Sequence, residues 1–295
     1  MPQRETEYLT TKELAELLRI KERKVYDLAA SGAVPCSRAM GKLLFSRREI
    51  DAWLARGSSG GASTRSTHPP NVLLGSHEPL LEWALRESRC GLATFLDGSL
   101  DGLERFARGE GMAAGLHVFA PESGDWNVPI VRERFADNPV VLVEWGWRER
   151  GMVVAPGRER SVGGFVDLRG KRVVPRQPEA GTQRLFEHLL NREGIAPSGI
   201  ELTPPSRSEA DAALAVLEGK ADATFGLLAL AKQYRLGFVP VIRERFDLLV
   251  DRRSWFEEPM QTLLAFCRSE VFLAKVSGVE GYDFSGLGRV HFNGR

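Results

Sequence analysis

The chain has 295 residues and an ordinary apolar share of 43%, enough for two domains with real cores. A formal net charge of +1 excludes a general polyanion binder, so any affinity for nucleic acid must come from local clusters of cations. The cysteines Cys36, Cys90 and Cys267 are odd in number and far apart; they fit neither a disulfide framework nor a metal spacing and read as reduced thiols. The N-terminal MPQRETEY has no apolar core of a signal peptide, and no run is long enough to span a bilayer; the expectation is a cytoplasmic protein with no membrane partner.

Thr10 followed by Glu13 forms a capping box, and Leu14, Leu17 and Leu18 follow at helical spacing as one apolar face. Arg19, Ile20 and Lys21 make a short break. A second helix runs from about Glu22 to Ala30 with Val25 and Leu28 inward, and Gly32 ends it. Val34 to Phe45, with Pro35 and Gly41, suits a short hairpin or wing. Ser46 caps a last helix containing Ile50, Trp53 and Leu54. Two short helices and a tight turn place the second helix in a DNA major groove. Lys21, Arg23, Lys24 and Tyr26 lie on or before that helix, Arg38 and Lys42 on the wing, and Arg47 and Arg48 at the start of the third helix. These cations are candidates for phosphate contacts, and the exposed face of the second helix for base readout.

The T-x-x-E-x-A-x-x-L start, the V-Y of the second helix and the F-S-R-R-E-I-D-A-W-L end resemble the excisionase and MerR-like winged helix family over about residues 8 to 56. Residues 1–56 are therefore expected to form a winged helix-turn-helix domain. Residues 57–70, GSSGGASTRSTHPP, carry no apolar periodicity and read as a flexible linker stiffened at its exit by two prolines.

Beyond it, strand-like and helix-like runs alternate: NVLLGS, EPLLEWALRES, GLATFLDGS, LDGLERFARGE, AAGLHVFA and PVVLVEW, then KRVVP, TQRLFEHLLNREG, DAALAVLEGK, ATFGLLAL, FVPVI and FDLLVD. That alternation predicts an α/β domain of parallel sheets covered on both faces. Ser76 and Ser99 each lie between a strand and a helix, and Thr182 follows Gly181 at another helix start. Small hydroxyls beside free N–H groups at helix N-termini suit an anion, although each alone is also an ordinary cap.

GSHEPLL, DGSLDGLERFARGEGMAAGLHV, RGMVVAPG, RQPEAGT, GKADATFG and FVPVIRERFDLLV, in that order, resemble the periplasmic binding protein fold in its molybdate-binding type. The resemblance covers residues 71–295 and implies two lobes joined by two crossings, near Trp147 to Met152 and Phe246 to Val250. Lobe one would hold 71–148 and 249–295, and lobe two 149–248. It also implies a cleft holding Ser76, His77, Ser99, His117, Arg176, Gln177, Gly181 and Thr182, with molybdate or tungstate as effector.

The sequence departs from the family pattern Asn-Arg-Gln-x-Gly-Ser-Gly-Thr-Arg: it reads Pro175 to Gln183, with Glu179 for a small residue and Gln183 for an arginine. Asp97 also precedes Gly98 and Ser99, and Thr224 and Phe225 stand where small residues are preferred. Carboxylates near the cleft repel a dianion unless they point outward or pair with Arg176. A small organic metabolite is therefore the alternative effector, with Trp145 and Trp147 either stacking on it or packing in the core or hinge.

His77, Glu78 and His117 could do acid–base work, but no nucleophile elbow, P-loop or metal signature accompanies them; Glu78 at a helix start favours the helix dipole, and His117, at a strand end that should face the cleft, reads as a ligand contact. An enzyme or cofactor-handling protein with an accessory head is thus the remaining alternative. The expectation is a ligand-responsive transcriptional regulator, not an enzyme, with no cofactor and no metal. Its partners would be a double-stranded DNA operator and a small-molecule or oxyanion effector. It is expected to act as a homodimer, because one head usually needs a second half-site.

Overall fold

The computed structural model describes residues 8–39, 41–57 and 68–295. It divides into two compact units, one up to Thr67 and one from His68 onward.

The first unit is a winged helix-turn-helix. It contains β1 (Tyr8–Leu9), α1 (Thr11–Leu18), α2 (Glu22–Ala30), β2 (Ser37–Ala39), β3 (Lys42–Ser46) and α3 (Arg47–Gly57). The capping box holds: Glu13 N donates to Thr10 Oγ1 at 3.3 Å, and Thr10 N to Glu13 Oε2 at 2.7 Å. Those bonds favour the ionised carboxylate and lower the Glu13 pKa. Arg19 turns left-handed at φ 53° and ends α1. The wing is the antiparallel pair β2–β3, and β1 pairs the other edge of β3.

Leu14, Ala15, Val25, Ala29, Val34, Phe45 and Ile50 fill the core of this unit. One expectation needs correction. Leu17 is exposed, because the buried stripe of α1 is Leu14, Ala15 and Leu18, and the i+3 position lies off it. Leu54 is exposed too, while Trp53 reaches back to donate to the Ala33 carbonyl at 2.7 Å.

The second unit begins with β4 (Val72–Gly75), α4 (Pro79–Ser88), β5 (Ala93–Phe95), α5 (Ser99–Ala107) and β6 (Ala113–Leu116). A two-stranded ribbon follows, β7 (Phe119–Ala120) with β8 (Asp125–Trp126), then α6 (Val128–Phe135) and the long β9 (Val140–Val154). Next come β10 (Arg172–Val174), α7 (Gly181–Arg192), β11 (Glu201–Leu202), α8 (Glu209–Leu217), β12 (Ala223–Leu227) and α9 (Leu228–Gln233). The long β13 (Gly237–Asp251) leads to α10 (Glu258–Phe266), α11 (Glu270–Ser277), β14 (Tyr282–Asp283) and β15 (Val290–Asn293).

One ten-stranded sheet runs β11-β10-β12-β9-β13-β6-β4-β5, with β14 and β15 also on β9. The expectation of parallel sheets holds only in part. The triplets β5-β4-β6 and β11-β10-β12 are parallel, but β9 and β13 are antiparallel to each other and to the strands they flank. FVPVI and FDLLVD are one strand, β13, bent by irregularities at Pro240/Ile242 and Phe246/Asp247. The proline cannot donate to a ladder, so the strand bends there instead of ending.

These two strands are the crossings. The β9 segment up to Arg148 pairs β15 and β14, and from Arg150 onward it pairs β12. On β13, Gly237 to Arg245 pair β9 alone, and from Asp247 the strand also pairs β6. Each lobe buries apolar side chains on both sheet faces. Leu73, Trp145, Phe246 and Phe272 form one cluster of lobe one, and Leu74, Phe106, Phe135 and Leu249 another. Lobe two has Met152, Phe165, Phe186 and Phe225 in one cluster and Val153, Val174, Ala213 and Val216 in another. Trp145 is core, edge-on to Phe272 and Phe284, while Trp147 is half-buried with Arg243 and Arg245 over its ring.

Candidate functional site

In the head, Lys21, Arg23, Lys24 and Tyr26 are all exposed on or just before α2, with Tyr26 at 53%. Lys42, Arg47 and Arg48 are exposed as well, and Arg47 Nε lies 3.3 Å from Asp51 Oδ1 on the next turn of α3. Arg38 sits on β2, and its side chain lies outside the described residues. So the head presents a cationic face around α2 whose apolar side is spent on its core.

In the second unit the cleft starts from backbone conformation. Gly98, at φ +125°, caps α5 and lets the chain turn Ser99 inward. Ser99 Oγ lies 2.8 Å from Ser76 Oγ and accepts the His117 backbone N–H at 3.1 Å. Ser76 is not itself a helix cap: Glu78 caps α4, accepting from Leu81 N at 2.6 Å. His117, buried at the end of β6, stacks on Phe246 and places Nδ1 3.2 Å from Glu244 Oε2. Thr182 opens α7 and donates to Glu209 Oε1 at 2.8 Å.

The two lobes touch across these loops. Leu100 N donates to the Glu179 carbonyl at 3.3 Å, and Gln177 Nε2 to the Asp97 carbonyl at 3.2 Å. Gly181 lies so close that a Cβ there would stand 2.6 Å from the His117 carbonyl oxygen. Seven of the eight expected ligand residues therefore converge. His77, in the loop before α4, instead places Nε2 2.8 Å from Glu82 of that helix, and its Nδ1 is buried without a partner. Glu179 is exposed, and Asp97 faces Arg207 at 3.4 Å. Gln183 turns back to accept from Arg176 N, and Thr224 donates to the Val174 carbonyl.

At the centre is a buried ion cluster that the sequence reading missed. Glu244 Oε1 accepts from Arg148 Nη2 at 2.5 Å and Arg150 Nη2 at 2.7 Å. Arg150 also meets Glu209 at 3.0 Å, and Arg176 reaches the same carboxylate at 3.1 Å. Glu78, which accepts from Trp145 Nε1 at 3.0 Å and the Tyr282 hydroxyl at 2.5 Å, stands 3.9 Å from Arg148. Three arginines thus balance three glutamates, all buried.

The signal was present. Arg148-Glu149-Arg150 and Arg243-Glu244-Arg245 repeat R-E-R in both crossing strands. Two-residue periodicity puts Arg148 and Arg150 on one face, and the ladder sets Glu244 opposite Arg148.

Burial is the largest single influence on these groups, and the neighbouring charges decide whether it prevails. It pushes the Glu209 pKa up, but Arg150 and Arg176 pull harder and hold it down to about 2. Glu244 resists burial in the same way through Arg148 and Arg150 and stays well below the usual range. His117 is lowered, since burial outweighs Glu244, and is neutral at pH 7. The cluster is unevenly satisfied: Arg148 Nε and Nη1 and Arg150 Nε are buried with no hydrogen-bond partner. A buried donor without an acceptor costs about 1–3 kcal/mol.

Two family models match the chain: a helix-turn-helix domain over residues 8–58 and a PBP superfamily domain over residues 82–268. The chain belongs to the PBP superfamily and carries a helix-turn-helix head. Along its whole length it is similar to YvgK, an uncharacterized protein of Bacillus subtilis (strain 168), at 24% identity over 97% of this chain and 98% of the relative. Among solved structures it is similar to the regulatory domain of MetR, a LysR family regulator from N. meningitidis. That likeness has 10% identity and a TM-score of 0.53, over 72% of this chain and 95% of that one. It is also similar to a tungstate ABC transporter protein from Geobacter sulfurreducens, at 12% identity and TM-score 0.50, over 70% of this chain and 97% of that one. These structural likenesses show the fold. A DNA-binding head and a solute-binding fold in one chain are the build of a ligand-responsive DNA-binding regulator. Among the described residues no helix is long and apolar enough to cross a membrane.

Proposed function

We propose that this regulator senses a small anion held between its lobes, and that α2 of a dimeric pair of heads reads an operator in the cytoplasm. The observation that carries the ligand reading is that three of the buried side-chain atoms without a partner belong to the ion cluster, Arg148 Nε, Arg148 Nη1 and Arg150 Nε, and all three are donors. A ligand that satisfies them must bring acceptor oxygens. Ser76 and Ser99, which share one hydrogen bond between them, and the N-termini of α5 and α7 supply further donors within the same residue cluster. Molybdate or tungstate, the effector implied by the resemblance, is the first candidate.

One observation favours a second reading. The three glutamates already neutralise the three arginines, and Glu209 already takes the Thr182 hydroxyl. A dianion beside Glu209 and Glu244 meets two fixed negative charges, whereas a singly charged organic acid meets less repulsion. In the head, Lys21, Arg23, Lys24, Arg38, Lys42, Arg47 and Arg48 serve as phosphate contacts, with Tyr26 at the base edges. The deciding experiment is a thermal-shift panel of molybdate, tungstate, sulfate, phosphate and small carboxylates on the full chain. Stabilisation by tungstate or molybdate alone selects the first reading, and by carboxylates alone the second. No stabilisation by any of them would reject an anion cleft.

A further inference from the structure

A cavity of about 440 Å³ lies apart from the cleft, between α4 of lobe one, α9 of lobe two and the turn from α11 to β14. None of Ser76, Ser99, His117, Arg150 or Arg176 lines it. Its volume is in the range of small-molecule sites. Its walls combine an apolar surface from Leu80, Trp83, Leu230 and Val279 with the cations Arg86, Lys232 and Lys275 and one carboxylate, Glu280. Arg86 pairs with Glu82 at 3.2 Å and Lys232 with Glu280 at 2.9 Å. Both pairs are largely solvent-exposed, and such pairs are weak enough to be exchanged. Among the described residues Lys275 has no carboxylate partner; its ammonium stands 5.6 Å from the Trp83 ring centroid.

We propose that this cavity is a second effector site, for an organic acid with one carboxylate on an apolar, ring-sized body. The carboxylate meets Lys275, and the body lies against Trp83 and Leu230. A bare inorganic anion leaves the apolar wall wet, and a neutral aromatic leaves Lys275 unmet. The site is built from both lobes, so its shape depends on how the lobes stand. Tyr282 forms part of its wall and donates to Glu78, which faces Arg148 of the central ion cluster. The proposal does not depend on which anion the cleft takes.

The test is calorimetric titration of the full chain with 3-phenylpropionate, 3-phenylpropanol and acetate. Saturable binding of 3-phenylpropionate is expected, with the other two at least tenfold weaker. Lys275→Glu should weaken it at least tenfold, and Ala229→Trp, which fills the cavity from α9, should abolish it. Retained circular dichroism shows that each variant folds, and either variant alone suffices for the comparison. Ser99→Ala, in the cleft, should leave this affinity within about threefold. Absence of saturable binding would overturn the proposal, as would equal affinity in a folded Lys275→Glu or Ala229→Trp protein. Loss in Ser99→Ala alone would assign the probe to the cleft and equally overturn it.

Discussion

Replacing Glu244 by glutamine tests the ion cluster at its centre. Glu244 is fully buried and bridges Arg148, Arg150 and His117. Removing one member of a buried charge pair costs about 3–5 kcal/mol, because the remaining charge stays desolvated. Glutamine keeps the shape and an acceptor oxygen, so the lower end, about 3 kcal/mol, is expected. The same change leaves Arg148, Arg150 and Arg176 facing only Glu78 and Glu209. An anion about 5 Å from the extra positive charge gains about 3 kcal/mol at an effective dielectric near 20. That corresponds to about a hundredfold in Kd. Glu244→Gln should therefore lower the urea midpoint of the sensor domain and, in the same protein, tighten binding of whichever anion the panel identifies. Calorimetry with that anion and urea titrations followed by tryptophan fluorescence measure both. A variant as stable as the parent with unchanged anion affinity would refute the reasoning, because the cluster would then be neither buried nor beside the ligand.

Further outcomes follow from the same geometry. The Glu209 pKa is depressed from 4.5 to about 2 in the folded state. Its contribution to stability is thus present above pH 4.5 and lost as pH falls towards 2. Glu209→Gln should flatten the fall of melting temperature across that window, and an unchanged slope would remove Glu209 from the acid response. Gly181→Ala would put a Cβ 2.6 Å from the His117 carbonyl oxygen, so the lobes must separate there. Anion affinity should drop at least tenfold with the helix content intact, and small-angle scattering should show a more open domain. Arg23→Ala with Lys24→Ala in the full chain should reduce the slope of log K for DNA against log salt by about two. A salt slope that stays put would take α2 off the phosphates. Burial pushes the Cys267 thiol up to about 12, whereas Cys36 is only half-buried. A thiol reagent at pH 8 should label Cys36 fast and Cys267 only on unfolding, which mass spectrometry reads directly.

Local patterns were legible from the chain alone. The capping box at Thr10 and Glu13, the α2 bounds and the glycine-closed wing depend on residues within four positions of one another, so short windows revealed them. The loops bearing Ser76, Ser99, Gln177 and Thr182 were legible too, because a strand must end and a helix begin at each. What the chain did not show is long-range. FVPVI and FDLLVD read as two strands because the charged Arg243-Glu244-Arg245 interrupts the apolar run, yet pairing to β9 keeps them one. The C-terminal β14 and β15 are too short to carry a periodicity of their own and exist through their ladders with β9. The ion cluster is the clearest case. Arg148, Arg150, Glu209 and Glu244 look like surface charges in sequence, since isolated charges belong in water. Only the folded chain brings residues 59 to 96 positions apart within hydrogen-bond distance. Their mutual compensation is what lets that many charges stay buried at the junction of the lobes.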